Sequence, residues 1–590
     1  MKKGFLLYSI AICMALFTVP FLFPQKDVVQ SLSYEMGFNN SVGMILLVVA
    51  SLLTFCYGII KAKHTEAIIV FDKEEYGSKK ILHILQIVSF SILFILGALF
   101  WGVEEGVLQA YWPIHYSDAM KYGWVLYEDL HVIYGELQIL PLHWLRLIGF
   151  PAMSAQLLLV AVSSVLCLYF VYDILGVIKI PASEKNAILI LAAILFFPYY
   201  MGIEGFRYVY TTWLFLKLIF LSAKNNGLII QGLAVVASVV FSLLFSQEYG
   251  LCLSVILVLY YIIDSWVNKN WHGIILSGVT IVSLLLIVWL KPGMFKAVLY
   301  MAGGASSFPY IPCLHLIVFF MAVLLFAWMM GTQIKELKTN YKELMVELLL
   351  VSYLPSVLGR CNPPHVLQIT FFLLIISGVL FVNRYNKKVV MIIAVLTFLT
   401  PFPFIIKTQG LSVVRPLISN VVKKNQWAVD YYVEKQLPGY QSIINKQEKS
   451  KERKTAREDF LSVITPTTSV MSFCSDEYLY VYLNEHGKYV ENFFGQSLSW
   501  LANEEQFKEV IECVDREKPD YIVLPKDYRQ SWMNYSEGGI LNLWFCTYSI
   551  PKPYRTYNEV LYSPLIDYIE ENYAYYSTFE NIFFYKRNTQ

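Results

Sequence analysis

Residues 101–150 read WGVEEGVLQAYWPIHYSDAMKYGWVLYEDLHVIYGELQILPLHWLRLIGF, and they separate two long apolar runs. The segment carries Glu104, Glu105, Asp118, Glu128, Asp129 and Glu136, with His115, His131 and His143 among them. Trp112, Trp124, Trp144 and several tyrosines fill the gaps. Rings with an apolar body and a polar tip collect at the headgroup layer, so an acidic loop laced with them fits a surface held against a bilayer. A solvated loop with an aromatic belt and no chemistry would have the same composition. The rest of the chain decides between the two.

Of the 590 residues, 57% are hydrophobic and 15% charged. Soluble domains carry roughly a quarter charged residues, so this is an integral membrane protein. A net charge of +2 and the absence of a basic run argue against nucleic acid as a partner. The nine cysteines form no CxxC pair, and their spacing signals neither a zinc site nor a disulfide framework. Cys474, Cys513 and Cys546 share the C-terminal region, where a pairing stays open. The apolar run from Gly4 to Phe23 follows two lysines, as in a signal peptide. It is long enough to span and no small-residue cleavage site follows, so we expect a retained first helix.

About thirteen apolar runs approach the roughly 17–25 residues that a spanning helix needs. They lie near 4–24, 42–61, 81–101, 153–177, 186–203, 208–222, 229–246, 250–264, 272–290, 310–331, 343–358, 365–382 and 388–406. Alternate connections hold the lysines: Lys2 and Lys3, then Lys61 to Lys80, Lys179 and Lys185, Lys224, Lys269, Lys335 to Lys342, and Arg384 to Lys388. Under the positive-inside rule these connections and the N-terminus are cytoplasmic.

The opposite face then collects polar groups of another kind. Glu104-Glu105 end the third run, and Glu204-Gly205-Phe206-Arg207 join the fifth to the sixth. Ser246-Gln247-Glu248-Tyr249-Gly250 join the seventh to the eighth, and Gly359-Arg360-Cys361-Asn362-Pro363-Pro364-His365 precede the twelfth. Singly, each is a helix end or a topology device. Jointly, on one face, ionisable groups at membrane depth point to a shared polar cavity.

Residues 1–409 thus read as an all-α polytopic membrane domain whose first large outer loop, 102–150, carries two juxtamembrane helices, His115 to Leu130 and Tyr134 to Phe150, with Pro141 near the start of the second or kinking it. Residues 410–454 form a polar connector. Residues 455–590 read as a small extracytoplasmic α/β domain. Its strand-like pieces are SVMSFCS, YLYVYLN and the segment Asp520 to Pro525, its helix is LANEEQFKEVIECVDREK, and a helix with a hairpin closes the chain. It shows no phosphate-binding glycine motif, and Asp520→Asn is expected to spare its fold.

A carboxylate at the bilayer surface can act as a general base toward a hydroxyl or hold a divalent cation. Glu104, Glu105 and Asp129 are the candidates, a divalent cation is the candidate cofactor, and no metal ligand set is legible. Arg207, Arg360 and His365 suit an anionic phosphate, because a guanidinium meets phosphate oxygens in a forked geometry.

These residues resemble the GT-C superfamily of integral-membrane glycosyltransferases. The resemblance rests on the acidic pair Glu104-Glu105, and on Gly123, Leu126-Tyr127-Glu128-Asp129 and Tyr134-Gly135 in a G…(L)xxD…YG pattern. It extends to Glu248 in SQEYG, to Gly359–His365, which is similar to a GRxDPxH motif with Asn362 in place of Asp, and to Lys518 to Val523 with Asn572-Tyr573 near the end. It implies a polyprenyl-phosphate-linked sugar as donor, a glycan, lipid or protein as acceptor, membrane lipid as surroundings, and inversion at the anomeric carbon. It implies catalysis by Glu104 or Glu105 with Asp129, and substrate contacts from His115, Arg207, Glu248, Arg360 and His365. A lipid-linked polysaccharide polymerase or ligase, a glycolipid transporter and a non-catalytic scaffold are the rival readings. A transporter would show internal repeats and mid-helix charges; the chain shows no repeat, and the charges fall at helix ends.

Overall fold

The computed structural model describes residues 3–61, 79–100, 112–121, 123–128, 132, 134–177, 182–196, 203–223, 227–302, 307–310, 312, 314–334, 337–359, 361 and 366, and, toward the C-terminus, 465, 467–473, 488–489, 501, 503–525, 559–579 and 582–588. The first part is helical. Helices α1 (Lys3–Thr18), α2 (Leu32–Glu35), α3 (Asn40–Lys61) and α4 (Lys79–Phe100) precede the first large loop, which contributes α5 (Trp112–Lys121) and α6 (Leu140–Leu147). Then come α7 (Ala152–Leu175), α8 (Ala182–Phe196), α9 (Ile203–Ala223), α10 (Leu228–Phe245), α11 (Gln247–Asn268) and α12 (His272–Leu290). The set closes with α13 (Pro292–Ala302), α14 (Leu314–Gln333), α15 (Leu337–Ser352) and α16 (Leu354–Leu358).

Among the described residues, 7 helices are long and apolar enough to cross a membrane. The protein is a multi-pass membrane protein. The runs expected at 365–382 and 388–406, and the connector, lie outside the described residues.

Several helices are longer or shifted relative to the apolar runs, because polar residues inside them are satisfied by neighbours. Helix α11 runs on through Asp264 and Asn268, where Tyr341 Oη donates to Asp264 Oδ1 at 2.6 Å and Asn268 Nδ2 donates to the same oxygen at 2.9 Å. Helix α9 begins at Ile203, so Arg207 sits inside a helix rather than in a connection. Helix α15 begins at Leu337, and Pro355 opens the short α16 beyond it. In the first loop, α5 stops at Lys121 rather than at Leu130, and Gly123 follows in the left-handed region at φ +89°. Pro141 stands in the first turn of α6, where a missing N–H costs nothing.

Close helix packing needs small residues, since lipid gives no hydrophobic drive between helices. Helices α3 and α14 meet through Gly58 and Gly331, whose Cα atoms would admit no Cβ: one at Gly331 would lie 2.1 Å from Phe55 O. Helices α7 and α9 pack through Phe170 stacked on Trp213, with ring centroids 4.3 Å apart. Asp173 accepts from Trp213 Nε1 at 2.7 Å and pairs with Lys217.

Toward the C-terminus, β1 (Ser469–Ser472), β2 (Lys488–Tyr489), β3 (Tyr521–Pro525), β4 (Tyr573–Phe579) and β5 (Ile582–Arg587) form one sheet in the order β2-β1-β3-β5-β4. Strands β1, β2 and β3 are parallel, and β5 and β4 add an antiparallel hairpin. Side chains alternate across the sheet. Met471, Ile522 and Leu524 pack with Val510 and Val514 of α17 (Glu504–Glu517) and Leu565 and Ile569 of α18 (Glu559–Asn572). Val470, Tyr521 and Val523 belong instead to the core cluster of the helical part. Lys296 Nζ of α13 pairs with Glu509 Oε2 of α17 at 3.3 Å. Of the expected strands, SVMSFCS is present as Ser469–Ser472 and the segment Asp520 to Pro525 as Tyr521–Pro525; the helix and the terminal hairpin are present, and YLYVYLN lies outside the described residues.

Candidate functional site

Three segments converge at one end of the bundle: the start of α9, the junction of α10 and α11, and residues 127, 128, 132 and 134–138 of the first loop. Ser246 is the single residue between α10 and α11, in extended conformation at φ −154° and ψ 107°. Its N–H reaches back to Ser242 O at 2.8 Å, and its carbonyl accepts from Gly250 N at 2.8 Å. Gly250 lets the two helices fold back tightly, since a Cβ there would come within 2.7 Å of the Leu243 backbone. The SQEYG segment therefore reads physically as a turn residue, a helix head and a close-packed glycine.

That turn aims Glu248 outward in the first turn of α11, where a helix N-terminus favours negative charge. Glu248 Oε1 accepts from Arg207 Nη1 at 3.0 Å. Arg207 is almost fully buried, at 2% side-chain exposure, while Glu248 retains 42%. The guanidinium lies over two rings, 4.6 Å from the Tyr134 centroid and 5.6 Å from that of Tyr249. Aromatic faces attract a cation through their quadrupole, so the rings stabilise a charge taken out of water.

The loop is fixed from beneath. Gly135 packs against the end of α10 so tightly that a Cβ would lie 2.2 Å from Leu244 O. Gln138 Nε2 donates to Phe245 O at 2.6 Å, satisfying a carbonyl that the helix end leaves open. Tyr127 adopts φ 68° and donates to Tyr134 O at 2.7 Å, while Gln247 Nε2 donates to Tyr127 Oη at 2.9 Å. Burial, with the nearby Glu136 charge adding to it, pushes the Tyr127 phenol well above its ordinary pKa, so it stays a neutral donor. Glu136 Oε2 meets Lys291 Nζ at 3.0 Å.

A third layer comes from α15 and α16. Tyr353 Oη lies 2.8 Å from Thr211 Oγ1 and 3.2 Å from Thr212 Oγ1. Tyr249 Oη lies 3.0 Å from Ser356 Oγ, and the Tyr249 and Tyr353 rings meet edge-on at 5.0 Å. Gly359 O accepts from Phe308 N at 3.3 Å, and Cys361 Sγ donates to Pro309 O at 3.4 Å, so both neighbours of Arg360 are anchored to one loop.

Of the residues expected at the site, the structure brings Arg207 and Glu248 together. His115 lies on α5. Glu104, Glu105, Asp129, Arg360 and His365 lie outside the described residues. The sequence reading missed the supporting set of Tyr127, Gln247, Thr211 and Tyr353. The signal for part of it was present, because Gln247 and Tyr249 flank Glu248 in one five-residue segment. Among the described residues, no three His, Cys, Asp or Glu side chains gather as a metal site.

No family model matches the sequence, and no curated protein matches it. A solved structure resembles the chain. It is the crystal structure of ArnT from Cupriavidus metallidurans bound to undecaprenyl phosphate. The likeness covers 92% of this chain and 98% of that one, at 10% sequence identity and a TM-score of 0.35.

Proposed function

We propose that the protein is an integral-membrane glycosyltransferase of the GT-C kind, moving a sugar from a polyprenyl-phosphate carrier to a glycan, lipid or protein acceptor. The observation that carries the reading is the buried Arg207 guanidinium, roofed by Tyr134 and Tyr249 and opened to solvent through the half-exposed Glu248. A guanidinium presents paired donors that match two phosphate oxygens, and a desolvated setting strengthens that contact. An apolar carrier chain would lie along the lipid-facing helices beside it.

In the proposed reaction, an acceptor hydroxyl oxygen attacks the anomeric carbon from the face opposite the phosphate. The bond from that carbon to the phosphate oxygen breaks, its electron pair leaves with the polyprenyl phosphate, and the configuration inverts. The acceptor proton passes to a loop carboxylate, Asp129 or one of Glu104 and Glu105. Arg207, with Arg360 and His365, balances the charge gathering on the departing phosphate, and Glu248 and His115 hold substrate hydroxyls.

Sidedness supports the choice of donor. Lysine-rich connections on one face put the N-terminus in the cytoplasm, and they put 102–150 and the C-terminal sheet domain outside. Nucleotide sugars are cytosolic, so a transferase working outside requires a donor carried across by a lipid. The test is release of polyprenyl phosphate from a synthetic undecaprenyl-phosphate sugar by the purified protein. Transport of the intact glycolipid without cleavage would favour the transporter instead.

A further inference from the structure

Helix α15 carries Asn340, Glu343 and Glu347 at spacings of three and four residues, which sets them on one face, and all three are buried. Gln333, at the end of α14 and also buried, faces them. Its amide nitrogen donates to Glu343 Oε1 at 3.3 Å and to Glu347 Oε1 at 2.8 Å. Two acceptor oxygens at this spot, Glu347 Oε2 and Gln333 Oε1, are fully enclosed and take no hydrogen bond from the described residues. Buried polar atoms are almost always paired, and a carboxylate inside a membrane bundle marks function by default.

Among the described residues, the neighbouring helices supply Glu347 with no counter-charge. Helices α14 and α16 contain no Asp, Glu, Lys or Arg. On α11, Asp264 is held by Tyr341 and Asn268 and Glu248 pairs with Arg207, while on α9 Lys217 is paired with Asp173. On α15 itself, Lys338 is exposed and Lys342 lies over the Tyr341 ring at 5.9 Å. Glu347 therefore has an acidic neighbour, one neutral amide and an open oxygen.

We propose that Glu347, Glu343 and Gln333 form a binding site for one small monovalent cation, seated between Glu347 Oε2 and Gln333 Oε1. A sodium ion or a proton would bring the same single positive charge to the same two oxygens. The site is distinct from the Arg207–Glu248 pair, because Glu347 precedes the end of α15 next to Tyr353 by about 8 Å of helical rise.

The test is the thermal midpoint of the full-length protein in detergent, in sodium chloride against N-methylglucamine chloride at equal ionic strength, each across mildly acidic to mildly alkaline buffers. A ligand that binds only the folded state raises the midpoint. Sodium as occupant raises the wild-type midpoint with sodium concentration; a proton raises it with acidity in the sodium-free series. Either response should vanish in Glu347→Gln, which keeps the shape and the Gln333 bond. A wild-type midpoint indifferent to both, or a response unchanged in Glu347→Gln, overturns the proposal. If that variant does not fold, Gln333→Leu decides: the apparent sodium affinity should fall at least about tenfold, because one of two oxygens is lost, or the midpoint's acid response should move to higher pH, because the amide that donates to the Glu347 carboxylate is lost. A sodium or acid response unchanged in Gln333→Leu overturns the site.

Discussion

Arg207 on α9 and Glu248 on α11 stand 41 positions apart in the chain, yet their side chains meet at 3.0 Å. One partner is buried and the other half open, so the pair is asymmetric toward anything arriving from solvent. Removing Glu248 is the more costly break, because it leaves the buried Arg207 charge without its partner, whereas removing Arg207 leaves a carboxylate that water can reach.

Arg207→Lys keeps the charge and loses the fork. Hydrogen bonds to charged groups contribute about 1.5–3 kcal/mol, so the donor KM should rise about ten- to a hundredfold while the acceptor KM stays near wild type. Steady-state kinetics with each substrate varied separately measures this. A donor KM unchanged in both Arg207→Lys and Arg207→Ala would remove the phosphate role.

Gly135→Ala puts a carbon 2.2 Å from Leu244 O, so residues 134–138 must move off the end of α10. Overpacking of this kind costs about 1–3 kcal/mol, and a displaced Tyr134 would uncover Arg207. We expect a lower thermal midpoint and at least about a tenfold loss in kcat/KM, since small misplacements at a site cost that much or more. Wild-type values for both would show that the close contact is not what seats the loop.

Gly331→Leu should be the more damaging of two glycine changes in the membrane helices. Its Cβ collides with Phe55 O, whereas Gly232 has nothing within 4 Å of the equivalent position. Gly232→Leu should leave the midpoint near wild type, and Gly331→Leu should lower it by several degrees. Equal shifts in the two variants would contradict the α3–α14 packing.

The sequence offered Arg207 and Glu248 as members of one polar group, and the structure brings those two together. The sequence placed EGFR and SQEYG in connections, since a charge ends an apolar count. In the structure both open helices, because Arg207 and Glu248 neutralise each other there. The same blindness hid the early start of α15: Glu343 and Glu347 look like a helix boundary until Gln333 is seen across from them. Contacts such as Tyr127 with Gln247, 120 residues away, leave no periodic trace at all.

Asp520 is tied into the sheet by more contacts than its sequence position suggests. Its Oδ2 accepts from Ser469 N at 2.8 Å and Ser469 Oγ at 2.9 Å, and its Oδ1 faces Arg587 Nη2 at 3.2 Å, so it ties β1 to the end of β5. Asp520→Asn should cost about 1–2 kcal/mol of stability, discounted because the Arg587 pair is partly exposed. Transfer per folded molecule should be unchanged, and a folded but inactive variant would place chemistry in the C-terminal domain.

The central claim is tested most directly by turnover of an undecaprenyl-phosphate sugar with folded, purified Glu104→Gln, Glu105→Gln, Asp129→Asn and Glu128→Gln. At most one of the neighbours Glu104 and Glu105 is expected to act as the base. A positioned general base contributes about 10²–10⁴-fold. One glutamate variant and Asp129→Asn should therefore lose at least about a hundredfold in rate, with Glu128→Gln mildly affected and the other glutamate near wild type. Near-normal turnover in both glutamate variants and in Asp129→Asn would contradict a transferase built on this loop.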